Sequence, residues 1–142
     1  MLLTELKAFI KAHRDNGRRE AFGLSVDQDD SYLCWSFCFD YLFVSKQDGK
    51  VVGCGVAYPL ENHYCGQMSS LYSFRKPVPK DQERTKEICI MDLVAINKEA
   101  RIDLVTQFKA RFPNWENQRK WGIQFDTVKL LPNKYINYLQ TI

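Results

Sequence analysis

At 142 residues, the chain has the size of one domain, which excludes two full-sized ones. Apolar residues make up 45%, charged residues 26% and aromatics 13%, a globular composition that can fill a core without disulfide help. No apolar run reaches the roughly 18 residues of a bilayer span, and a net charge of +3 is too small to mark a nucleic-acid protein without local concentration.

The first twenty residues, MLLTELKAFIKAHRDNGRRE, are broken by charge every few positions and lack the uninterrupted apolar stretch of a signal peptide. A cytoplasmic protein is expected. Five cysteines, Cys34, Cys38, Cys54, Cys65 and Cys89, form an odd set without an export signal, which argues for reduced thiols. Cys34 and Cys38 stand one helical turn apart, and His63 and Cys65 offer two further metal ligands. No Cys-x-x-Cys pair accompanies them, and Trp35, Phe37 and Phe39 surround the first two, so small-hydrophobe roles are expected and no metal.

Residues 2–14 place Leu2, Leu3, Leu6, Phe9, Ile10 and His13 at helical spacing, and Asn16-Gly17 stops that helix. Asp29-Asp30-Ser31 offers N-cap chemistry for a short aromatic helix from Tyr32 to Phe39. Tyr41–Ser45 and Lys50–Tyr58 flank Gln47-Asp48-Gly49, and Asp-Gly between β-rich runs predicts a hairpin. Gly53 and Gly55 in its second arm predict a bulge or a close backbone approach. Residues 67–75 read as another strand. Residues 76–86, with Lys76, Pro77, Pro79, Lys80, Arg84 and Lys86, read as a solvated basic loop, with a contact to an anionic partner as the alternative.

Glu87 to Ile96, EICIMDLVAI, is almost wholly apolar and should be a central buried strand with Asp92 as its only internal charge. Asn97 caps a helix from Lys98 to Phe112 whose Arg101, Leu104, Val105, Phe108 and Phe112 share a face, and Pro113 ends it. Trp121–Val128 supplies the next strand, before a short tail with Tyr135, Tyr138 and Leu139. Strand, helix and strand from 87 to 128 demand two neighbouring parallel strands, while the hairpin makes the sheet mixed. The expected class is α+β, one domain over residues 1–142, with helices flanking a mixed central sheet.

A hairpin followed by a βαβ unit resembles the GNAT (Gcn5-related N-acetyltransferase) superfamily. Lys46–Tyr58 is similar to its second and third strands, and EICIMDLVAI to its fourth, which cradles the acyl thioester. Within the superfamily, Asp92-Leu93-Val94-Ala95, Phe112-Pro113 and Pro59-Leu60-Glu61-Asn62 resemble segments of the toxin-activating lysine acyltransferases, which pair such an Asp with an N-terminal His; His13 is the candidate here. The segment Ile96-Asn97-Lys98-Glu99-Ala100-Arg101 departs from the pattern. It has none of the glycines that usually let backbone N–H groups approach a pyrophosphate at a helix N-terminus.

The resemblance implies an acyltransferase moving an acyl group from acetyl-CoA or another acyl carrier to a protein or small-molecule amine. Such an enzyme needs a base for the amine and an acid for the departing thiolate. Asp92, whose carboxyl pKa an apolar strand would raise, suits the base. His13 is a second candidate, and Tyr135 or Tyr138 would supply the acid. Val94, Ile96, Asn97, Lys98 and Arg101 would hold the donor. The missing glycines, with Trp35, Trp115 and Trp121 as surface candidates, leave a second expectation open: a catalytically silent GNAT-like module for binding or assembly, for example in a phage particle.

Overall fold

A computed structural model describes residues 2–13, 26–67, 77–124 and 127–141. Among these described residues nine regular elements follow one another: α1 Leu2–His13, α2 Val26–Cys38, β1 Leu42–Gln47, β2 Lys50–Leu60, β3 Glu87–Ala95, α3 Lys98–Arg111, β4 Lys120–Gln124, β5 Thr127–Leu131 and α4 Asn133–Leu139. Short 3-10 turns stand at Asn62–Tyr64, Lys80–Thr85 and Trp115–Asn117. Among the described residues the sheet has five strands in the order β1-β2-β3-β4-β5. β3 and β4 pair parallel, and the other neighbours are antiparallel. The fold is therefore α+β with a mixed sheet and β3 at its centre, as expected. No helix among these residues is long and apolar enough to cross a membrane.

Alternation along the central strands sends side chains into two cores. Cys54, Val56, Tyr58, Leu60, Cys89 and Met91 pack with Leu6, Phe9, Ile10, Tyr32 and Leu33 of α1 and α2. Phe43, Ala57 and Ile88 pack on the opposite face with Leu104, Val105 and Phe108 of α3 and Ile136 of α4. The result is three layers, helices on both sides of the sheet.

The hairpin forms where Asp48-Gly49 predicts it. Gln47 pairs with Lys50, and Asp48 and Gly49 take φ of 53° and 77°, the left-handed pair that a type I′ turn requires. A bulge lies opposite Ser45 and Lys46. At Gly53 a Cβ would stand 3.0 Å from Leu104 Cδ1 and 3.3 Å from Ala100 Cβ, so the expected close approach is that of α3.

Six expectations are corrected. Helix α2 starts at Val26, six residues before Tyr32, so Asp29-Asp30-Ser31 lie inside it rather than capping it; carboxylates favour an early helical turn as well as a cap. It ends on Asp40 at φ 62°, with Asp40 N–H bonded to Phe37 O and Tyr41 N–H to Ser36 O, a Schellman closure without glycine. Lys120–Gln124 and Thr127–Leu131 form two antiparallel strands where one was expected. The tail is a helix, α4, following Pro132. In the basic loop, residues 80–85 wind into a 3-10 turn that buries Glu83. Trp115 is core, 7% exposed, and not a surface tryptophan. Cys54 and Cys89 are buried, but Cys34 and Cys38 are exposed on α2. The strand expected over 67–75 falls outside the described residues beyond position 67.

Candidate functional site

The parallel ladder is short. Ile88 pairs with Lys120, Cys89 with Trp121 and Ile90 with Gly122, and there it stops, although β3 continues to Ala95 and β4 to Gln124. The cause is a bulge. Val56 of β2 faces Asp92 and the next residue, Ala57, faces Ile90, so Met91 is an extra residue in β3. One extra residue bends a strand and shifts its side-chain phase. Ile90 before the bulge and Leu93 and Ala95 after it pack towards the α3 layer, while Val94 joins the opposite core. β4 instead stays in register with β5 along its whole length.

A cleft of about 740 Å³ opens where the two strands part. Ile90, Met91 and Leu93 form one side, Gly122 and Lys129 the other, and α4 contributes Tyr135 and Tyr138. Both tyrosines are exposed, 42% and 55%. Lys134 adds a second cation beside Lys129. The wall is mainly carbon, with phenols and ammonium groups at intervals, which suits a ligand having an apolar portion and an anionic one.

Two of the expected catalytic residues, Tyr135 and Tyr138, thus meet in one cleft. The backbone of Asp92 lies in β3 directly after the extra residue. His13 ends α1, exposed, with its ring 4.8 Å from that of Phe9, and it does not line the cleft. Among the expected donor-binding residues, Val94 packs in the α1/α2 core. Ile96 is 48% exposed, and its N–H bonds to Val52 O. Asn97 caps α3 as predicted, its side chain accepting from Ala100 N–H at 2.8 Å and donating to Gln47 Oε1 at 3.2 Å. That cap takes one of the free N–H groups of the helix N-terminus. Lys98 is exposed. Arg101 bridges to α4 by donating from Nε to Leu139 O at 2.8 Å.

Lys129 and Lys134 escaped the sequence reading because β5 and α4 did. Among the described residues, three buried charged groups, Lys120, Glu87 and Glu83, lie outside the cleft and hold the frame. Lys120, 2% exposed, donates to Trp115 O and Gln118 O at 2.7 and 2.6 Å, and burial pushes its pKa down. Glu87 accepts from Trp121 Nε1 at 2.9 Å and pairs with Arg119 at 3.2 Å. Burial and then Glu87 push the Cys65 thiol well above the usual range, which makes it a poor nucleophile. Glu83 is held by Arg111.

No family model, curated protein or solved structure matches the chain. Function has to be read from the cleft itself.

Proposed function

We propose that the protein is an acyltransferase of GNAT-like fold that moves an acyl group from a thioester donor, acetyl-CoA or another acyl carrier, to an amine. The observation that carries this reading is the cleft at the carboxyl ends of the parallel pair β3 and β4. Open sheets collect ligands at the carboxyl ends of parallel strands. An extended thioester arm entering there runs along β3 beyond Ile90, where the ladder with β4 has ended, as a peptide adds to a strand edge. The order of hairpin and then βαβ unit supports the same reading.

In the reaction the amine nitrogen forms a bond to the thioester carbonyl carbon and the carbon–sulfur bond breaks. A base takes the amine proton and an acid returns one to the leaving thiolate. Asp92, beside the bulge, is the proposed base. Tyr135 or Tyr138 is the proposed acid, and His13 is left without a role in the cleft. Lys129, Lys134 and Lys98 are the cations available to a donor's phosphates.

One observation favours the second reading, a silent binding or assembly module such as a phage component. Arg101 is engaged on Leu139 O and the turn at 96–101 has no glycine, so a pyrophosphate would have to displace a contact already made. Isothermal titration of the full chain with acetyl-CoA, longer acyl-CoAs and acylated carrier protein separates the two. Saturable binding of at least one donor is expected for the enzyme. Failure of all three classes to bind leaves the binding module.

A further inference from the structure

Two spaces meet at α4. Beside the cleft lies a smaller apolar cavity of about 30 Å³ beneath α3, with Phe43, Ala57, Leu104 and Phe108 among its walls. Four residues line both spaces: Ile90 and Leu93 of β3, and Ile136 and Leu139 of α4. Ile90 and Leu93 belong to a central strand. Ile136, 2% exposed, and the half-buried Leu139 are side chains on a short helix, pushed between the two spaces.

We infer that Ile136 and Leu139 set the length of the apolar chain that the cleft accepts. This rests on the reading of the cleft as an acyl site. A chain end that advances from Met91 towards α3 meets these two side chains first. The cavity behind them has room for about one water-sized group and is walled by carbon, which favours an apolar occupant over water. Three hydrogen bonds that use neither side chain also tie α4 and the residue after it to α3. Arg101 donates to Leu139 O at 2.8 Å, Lys109 to Asn137 Oδ1 at 2.7 Å, and Gln140 Nε2 to Thr106 Oγ1 at 3.0 Å. Shortening the wall therefore joins the two spaces while the helix keeps its place.

The test is calorimetric titration of the full chain as wild type, Ile136→Val, Ile136→Ala and Leu139→Ala. Two homologous series serve as probes, straight-chain carboxylates and acyl-CoAs, each from short to long chains. Wild-type affinity is expected to stop rising at a shorter chain than that of either alanine variant. In the variants each further methylene that enters should tighten binding about fourfold, with Ile136→Val intermediate. Should Ile136→Ala fail to fold, Leu139→Ala and Ile136→Val carry the comparison. An unchanged length preference in the folded variants, or no binding of either series to any of the proteins, overturns the inference. Carboxylates that bind with a shifted length preference, while no acyl-CoA binds, would uphold the wall and remove the acyltransferase reading.

Discussion

Arg111, at the end of α3, grips the carboxylate of Glu83 in the 3-10 turn with two hydrogen bonds, from Nη1 at 2.6 Å and Nη2 at 3.0 Å. Their side chains are only 13% and 9% exposed, and the pair raises the pKa of Arg111. Arg111 Nε also donates to Asp40 O at 2.9 Å. One side chain thus ties the end of α3 to the end of α2 and to the turn that leads into β3. Removing Arg111 strands the Glu83 carboxylate with little solvent, whereas Arg111 without Glu83 keeps the Asp40 carboxylate at 3.3 Å. Arg111→Ala should therefore cost about 3 kcal/mol, the low end for breaking a buried pair, read as a lower urea midpoint at unchanged slope. A loss below about 0.5 kcal/mol, the range of ordinary surface changes, would show the pair to be worth no more than a surface contact.

Tyr41 lies beside this clamp, 2% exposed, with its phenol pushed up to about 12 by burial first and by Glu83 second, against a smaller opposing pull from Arg111. The unfolded chain ionises this phenol near its ordinary value of 10, so its contribution is complete below that pH and is lost as pH rises towards 12. Lys120 acts in the opposite sense, because a lowered amine pKa makes folding gain as pH rises. The informative quantity is therefore the difference between wild type and Tyr41→Phe. Wild type should lose stability faster above pH 10, by on the order of 1–3 kcal/mol; parallel stability curves would contradict the account.

Gly53→Ala should destabilise by about 1–3 kcal/mol, the range for overpacking a core. Its Cβ would enter the contact between β2 and α3, at 3.0 Å from Leu104 Cδ1 and 3.4 Å from Ser45 Cβ. Thermal unfolding measures the loss, and an unchanged melting temperature would mean that α3 can lift away from the sheet.

Much of the fold was legible because local signals agreed with the tertiary structure. Asp48-Gly49 demanded its turn, the apolar run at 87–95 could only be a buried strand, and Asn97 with Pro113 bracketed α3. The rest had signals that were ambiguous or pointed elsewhere. No glycine, proline or asparagine separates β4 from β5, so two strands read as one, and α4 is too short for its periodicity to show. Glu83 reads as one more charge in a polar segment because its partner lies 28 positions on. In the site, Tyr135 and Tyr138 were within reach of a resemblance. Lys129 and Lys134 were not, since their positions depend on the missed hairpin and helix.

Tyr135→Phe and Tyr138→Phe keep the cleft's shape and remove one hydroxyl each. Whichever hydroxyl protonates the thiolate should, when lost, lower kcat by about 100-fold or more, the usual contribution of general acid catalysis, with donor affinity kept. The other variant should stay near wild type. Steady-state kinetics beside donor titration checks this, and full activity in both would remove the tyrosines from the chemistry.

The most direct test of the cleft as the donor site is a backbone amide NMR titration of the full chain with acetyl-CoA and a longer acyl-CoA. The account predicts saturable shifts that concentrate on Met91, Leu93 and Gly122 and on Tyr135 and Tyr138. Shifts confined to other parts of the sheet, or none with either donor, would contradict it.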